Sequence, residues 1–171
     1  MCGVNIPEIT RRATRAVDVG GVVIGGEAPV RIQSMTNTPT HDAAATLGQI
    51  RRLADAGAEL VRVAVPTADD TAALTEIVAG SPVPIIADVH FHFDRALEAI
   101  AAGVAKIRLN PGNIGDRGQV LRIIDAAGAA GVAIRVGVNE GSVVDRKEGE
   151  QRSSDLAAPL AMLMVDKMAE Y

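Results

Sequence analysis

The sequence predicts the α/β class, as a partial TIM (β/α) barrel of about five βα units behind a short N-terminal β-hairpin. Three observations carry that expectation. β-branched, strand-like segments alternate with Ala-rich, helix-like ones along the chain. The tripeptides Ala56-Gly57-Ala58, Ala102-Gly103-Val104 and Ala130-Gly131-Val132 recur just before strand-like segments, a repeat of roughly barrel period. Each strand-like segment also sets one apolar face against one polar or small face. The strands of an open doubly wound sheet, buried on both sides, would read as continuous apolar runs.

The elements follow in order. Residues 16–19 and 22–24 flank Gly20-Gly21, a hairpin signal. Strands are then predicted over 30–36, 60–65, 84–90, 106–110 and 132–138. Each is followed by a helix, over 42–56, 69–79, 94–102, 119–130 and 154–170. Asp42, Asp69 and Asp94 stand where N-caps or first-turn acids are wanted. Gly57, Gly103 and Gly131 stand where a glycine ends a helix before the next strand. The charged stretch 145–155 reads as a loop. The layout divides into residues 1–29, holding the hairpin, and 30–171, an incomplete barrel that binds substrate. A closed barrel has eight units, and Tyr171 falls inside a helical pattern without a cap, so the expectation is truncation.

Composition narrows the function classes. A chain of 171 residues with aromatic side chains only at Phe91, Phe93 and Tyr171 must build its core from Val, Ile, Leu and Ala. Its net charge of -4 argues against a nucleic-acid or general polyanion binder, but allows a local cationic pocket. Cys2 is the only cysteine, too few for an intrachain disulfide or for a metal cluster. There is no apolar run of about 18 residues. The N-terminus lacks a signal-peptide apolar core, and its Arg11, Arg12 and Arg15 suit a solvated surface. The expected compartment is the cytoplasm, with no membrane partner.

The chemistry lies on the polar strand faces. Arg62, Arg108 and Arg135 occupy similar positions on three strands. Guanidinium groups are permanently charged forks that match phosphate oxygens. Three converging on one lumen would be costly without an anion, and Asp88 is the only inward acid legible in the sequence. A phosphorylated ligand is therefore expected rather than internal pairing. Lys106 lies deeper on the face of Arg108, either with that ligand or in an internal salt bridge. Asn110-Pro111-Gly112-Asn113-Ile114-Gly115 and Gly141-Ser142 are turn-rich tips whose amides could face an anion, or plain turns. The stretch Gln33-Ser34-Met35-Thr36-Asn37-Thr38 offers further amides and hydroxyls. His90-Phe91-His92 has the spacing of a two-histidine metal site. With only His41 besides, an acid–base role for His90 beside Asp88 is the better reading, and His92 falls at a helix start.

The order of motifs is more specific than any single one. The Gln33–Thr38 stretch is followed by Val61-Arg62-Val63-Ala64-Val65-Pro66, Ala87-Asp88-Val89-His90-Phe91, Ile107-Arg108-Leu109-Asn110-Pro111-Gly112-Asn113-Ile114-Gly115 and Ile134-Arg135-Val136-Gly137-Val138-Asn139. This series closely resembles the 4-hydroxy-3-methylbut-2-en-1-yl diphosphate synthases of the non-mevalonate isoprenoid pathway, from about Arg11 to Ser142. The resemblance implies an iron–sulfur oxidoreductase whose barrel binds 2-C-methyl-D-erythritol 2,4-cyclodiphosphate. It implies a separate C-terminal domain with a [4Fe-4S] cluster held by three cysteines and a glutamate. It also implies ferredoxin or flavodoxin as electron donor, and a homodimer. By position, Arg62, Arg108 and Arg135 match that family's diphosphate-binding arginines. Asn110 and Asn139 match substrate-binding positions, and Asp88 and His90 match polar positions at the same mouth, the expected catalytic pair. No cysteine here matches a cluster ligand, so no cofactor is expected on this chain, and alone it is expected to be inactive. Two other readings remain: a barrel enzyme binding a pterin diphosphate, and a non-catalytic fragment that only binds ligand.

Overall fold

The computed structural model describes residues 12–90, 92–110 and 116–137. The first element is an antiparallel hairpin, β1 (Val17–Val19) and β2 (Val22–Ile24). Its turn needs two consecutive residues at positive φ: Gly20 at 61° and Gly21 at 90°. That is the geometry that lets a two-residue loop follow the strand twist. Asp18 accepts a hydrogen bond from the Gly21 amide at 3.1 Å and locks the turn.

Five parallel strands follow, β3 (Gln33–Met35), β4 (Leu60–Ala64), β5 (Ile85–Val89), β6 (Lys106–Leu109) and β7 (Ala133–Val136). Helices α1 (Ala43–Asp55), α2 (Ala68–Gly80), α3 (Phe93–Ala101) and α4 (Arg117–Ala130) connect them in turn. The strands lie in sheet order β3-β4-β5-β6-β7, the order of the chain. A doubly wound sheet reverses its order at a switch point. This one does not, so the fold is the expected partial TIM barrel.

The outer face of the sheet is dry and aliphatic. Val61, Val63, Ile85, Ala87, Val89, Ile107 and Leu109 form one buried cluster with Ile50, Leu74, Ile77, Ala99 and Ile123 of the helices. Each Val, Leu or Ile among them contributes on the order of 1.5–3 kcal/mol by leaving water. A second, smaller cluster lies on the inner face at the N-terminal ends of the strands. There Val19 of the hairpin packs on Leu60 and Ile86, with Val22, Ile24, Ala105 and Ala133 against them. The hairpin therefore closes the bottom of the sheet's concave side.

Helix boundaries follow local chemistry. Asp42 caps α1 through the Ala45 amide at 3.0 Å. Positive φ at Gly57, Gly103 and Gly131 ends α1, α3 and α4. Most bounds shift by a residue or two from expectation, and three of the shifts have a visible cause. α2 is capped by Thr67, not begun at Asp69: Thr67 and Asp70 exchange side-chain and backbone hydrogen bonds in a capping box. α4 starts at Arg117 because Asp116 accepts from the Gly118 amide at 2.8 Å. β3 is three residues long rather than spanning 30–36. The amide of Ile32 donates to the Glu59 carboxylate at 3.0 Å, and Arg31 pairs with Glu59 at 2.7 Å and donates to the Val23 carbonyl at 3.1 Å. Side chains thus engage this stretch before the strand begins. Residues 111–115, Phe91, Asn139, Gly141-Ser142 and the helix expected over 154–170 lie outside the described residues.

Candidate anion site on the inner face

Parallel register fixes which side chains share the concave face. Met35 is level with Arg62, Ala64 with Asp88, Asp88 with Arg108, and Arg108 with Arg135. One step toward the hairpin, Lys106 is level with Ile86 and Ala133. Residues level with one another in adjacent strands point to the same side. Arg62, Asp88, Lys106, Arg108 and Arg135 therefore all face inward, on four different strands.

Asp88 is the hub. Its side chain is 3% exposed and receives three partners. Arg108 Nη1 lies 3.3 Å from Oδ1, Arg62 Nε lies 3.6 Å from Oδ2, and His90 Nε2 lies 3.1 Å from Oδ2. Asp88, the one inward acid expected from the sequence, pairs internally with two of the three arginines. A carboxylate has two oxygens and about four acceptor sites, so one buried aspartate serves both guanidinium groups. His90 Nε2 faces Asp88, and Arg108 Nη1 stands 3.4 Å from both ring nitrogens.

Arg108 is also tied to β7. Its Nη2 donates to the Gly137 carbonyl at 3.1 Å. A Cβ at Gly137 would lie 3.5 Å from Arg108 Nε, so the guanidinium lies across a glycine at the end of β7. Arg62 has a second, softer partner: its Nε and Nη2 donate to Met35 Sδ at 3.1 and 3.0 Å. Arg135 is exposed, and among the described residues it forms no salt bridge. Asn110 is fully buried at the tip of β6.

Lys106 does not take the internal salt bridge that was one of its two readings, among the described residues. It is 8% exposed, and its Nζ approaches Gln33 Oε1 at 3.5 Å. Burial pushes its ammonium below the ordinary lysine value, and the charges of Arg135 and Arg62 push it further the same way. The described inner face thus sets four basic side chains against one carboxylate.

The amides and hydroxyls of the loop after β3 are largely engaged within the fold. Its amides at Asn37 and Thr38 both donate to Gln49 Oε1, at 3.0 and 3.2 Å, and Thr38 Oγ1 pairs with Thr46 Oγ1. Thr40 donates to the Ala64 carbonyl at 2.6 Å, and the His41 amide donates to Asp70 at 2.9 Å. Those groups hold the loop to α1, β4 and α2. Sequence reasoning missed Met35, Gln49, Asp70 and Gly137 as positioning groups. Only Thr67-x-x-Asp70, at capping-box spacing, carried a local signal. His92 stands at the N-cap of α3 without a side-chain hydrogen bond there, away from the inner-face pairing of His90.

Fold and site together define a (β/α)-barrel chain with a cationic concave face. A family model described as the GcpE TIM-barrel domain matches residues 14–170, and the chain belongs to that family. Curated relatives include 4-hydroxy-3-methylbut-2-en-1-yl diphosphate synthase (flavodoxin) of Hyphomonas neptunium, 54% identical over 135 residues, covering 79% of this chain and 36% of the relative. The same enzyme of Persephonella marina is 54% identical, with 79% and 38% covered. That of Rhodospirillum rubrum is 52% identical over 136 residues, with 80% and 35% covered. The chain thus spans little more than a third of these relatives' length. Among solved structures, the dihydropteroate synthase of Yersinia pestis matches with a TM-score of 0.59 at 15% identity, over 91% of this chain and 56% of that one. That of Xanthomonas albilineans matches at 0.58 and 18% identity, over 89% and 57%. At such identity these structures share the fold alone.

The residues present do not fit a [4Fe-4S] cluster. The whole chain has one cysteine, and among the described residues no trio of His, Cys, Asp or Glu converges as a metal site. Among the described residues, no helix is long and apolar enough to cross a membrane.

Proposed function

We propose that this chain forms the substrate-holding barrel part of a 4-hydroxy-3-methylbut-2-en-1-yl diphosphate synthase in isoprenoid biosynthesis, and that its inner face binds 2-C-methyl-D-erythritol 2,4-cyclodiphosphate. The observation that carries this reading is the surplus of cations: Arg62, Lys106, Arg108 and Arg135 against Asp88. Of these cations Lys106 and Arg108 are buried; unbalanced buried charge costs several kcal/mol per ion in effective terms, and a diphosphate offsets that cost. The relatives' name and the ordered motifs support the particular substrate.

In this reading Arg62, Arg108 and Arg135 clamp diphosphate oxygens, while Asn110 and Asn139 orient the rest of the substrate. Asp88 keeps Arg62 and Arg108 in place before the anion arrives, and holds the proton of His90 on Nε2. His90 is then fixed in one tautomer at the substrate-facing end of β5, the catalytic pairing with Asp88. The residues of this chain do not fit a [4Fe-4S] cluster; such a group, held by other residues of the whole enzyme, would supply the two electrons that a reductive ring opening needs, with flavodoxin or ferredoxin as their source. The chain divides into an N-terminal segment with the hairpin, 1–29, and the barrel portion, 30–171. The whole enzyme works as a homodimer in the cytoplasm, and this chain alone binds without turnover.

Calorimetric competition tests the assignment. The cyclodiphosphate should bind, and a pterin diphosphate, the ligand class of the alternative barrel reading, should not displace it. The reverse ranking would sink the proposal. Anaerobic reconstitution tests the division of labour: stoichiometric iron and sulfide on this chain would contradict it.

A further inference from the structure

Lys106 is more than nine-tenths buried, and its strand neighbours explain why its charge is hard to hold there. Toward the hairpin it meets the apolar floor of Leu60, Ile86 and Val19. On the same face β4 presents Arg62, β5 presents Asp88 and His90, β6 itself presents Arg108, and β7 presents Arg135. Asp88 is engaged by Arg62, Arg108 and His90. The hairpin adds only Val19, Val22 and Ile24 to this floor. β3 adds Gln33, whose side-chain oxygen reaches Lys106 from 73 residues earlier in sequence. In the sheet, β3 and β6 are separated by β4 and β5, so this approach spans the concave side.

A neutral amide oxygen at 3.5 Å is a weak partner for a buried ammonium. The floor of the cationic face therefore holds an amine without a counter-ion among the described residues. We propose that Lys106, steadied by Gln33, is a further anion-binding residue at the floor of the site, and that it takes up a proton as a polyphosphate anion docks. The anion supplies the negative charge that the neighbouring arginines otherwise oppose, so the amine and the anion acquire their partners together. A diphosphate can lie on Arg108 and Arg135 above while one oxygen reaches Lys106 below. Lys106 stands two residues below Arg108 on β6, so an anion with two phosphoryl groups has more oxygens to reach both levels than orthophosphate, and Lys106 favours the longer anion. This inference rests on the anion-site reading above and adds a residue and a proton to it.

Inorganic pyrophosphate is the probe. Its binding heat is measured by titration calorimetry at mildly alkaline pH, in two buffers of different ionisation enthalpy, for wild type, Lys106→Met and Lys106→Arg. Lys106→Met should lose about tenfold or more in affinity for pyrophosphate, the scale of a charge-assisted hydrogen bond, and much less for orthophosphate. Lys106→Arg should recover most of that affinity. Proton uptake should be larger in wild type than in Lys106→Arg, because an arginine is already charged; the ligand's own protons are common to both. Equal proton uptake in the two, or pyrophosphate affinity unchanged in Lys106→Met, would overturn the inference while leaving the anion site standing. Failure of wild type to bind pyrophosphate would remove the anion-site reading and the inference together. Circular dichroism of each variant separates these outcomes from misfolding, and Lys106→Gln serves as a second neutral variant if Lys106→Met does not fold.

Discussion

The two faces of β4, β5 and β6 are cut from the same short segments, yet they are built for opposite purposes. Outward, Val61, Val63, Ala87, Val89, Ile107 and Leu109 are all at most 4% exposed and touch helices. Inward, the alternate positions carry Arg62, Asp88, Lys106 and Arg108. The outer face gains stability from each methyl group removed from water. The inner face spends some of that stability on keeping cations close together. The difference teaches that period-two alternation here separates folding from binding residue by residue, and that a ligand should matter to one face only.

Substitutions can break this contrast. Asp88→Ala should cost most, about 3–5 kcal/mol, because it takes the carboxylate from two guanidinium groups, leaving Arg108 its bond to the Gly137 carbonyl and Arg62 its contact with Met35. Added pyrophosphate should restore part of that loss in urea unfolding. Ile107→Ala on the outer face should cost about 2–5 kcal/mol, through lost transfer energy and a cavity. Pyrophosphate should raise the midpoint of this variant only as much as it raises wild type. Equal response of the two variants would erase the distinction between faces.

Smaller effects sharpen it. Gly20→Ala should cost on the order of 1–2 kcal/mol from the left-handed backbone alone, and more from a Cβ placed 2.9 Å from Ala105. The loss should appear in thermal unfolding and loosen the floor beneath Lys106. Lys106→Met should act in the opposite direction and stabilise the unliganded protein. The folded-state value of this lysine is lowered, so the unfolded chain binds more protons between that value and the ordinary one. The cost of Lys106 is therefore complete below its folded value and fades as pH rises through it. The stability gained in Lys106→Met should shrink over the same alkaline range in urea titrations at several pH values.

Much of the frame was legible because its signals are local. Alternation in Leu60–Ala64 and Lys106–Leu109 placed the arginines on one face, and Asp42 marked the start of α1. What escaped depends on residues far apart in sequence. The shortened β3 follows from Glu59 reaching back 27 residues to the Ile32 amide. The polar density of the loop after β3 leaves its purpose open until Gln49 is seen to take its amides. The sharing of Asp88 between Arg62 and Arg108 needs the register of three strands, and so does the approach of Lys106 to Gln33 across the concave side. Nothing in the local spacing of Met35 or Gly137 announces that each positions an arginine.

The account turns on whether the cationic face holds the anion, and Arg135 offers the cleanest handle because it is exposed and forms no salt bridge among the described residues. Titration calorimetry of the cyclodiphosphate against wild type and Arg135→Met measures this directly. The predicted result is a loss of about 1.5–3 kcal/mol in binding with an unchanged unfolding midpoint. Unchanged affinity in a folded Arg135→Met protein would contradict it.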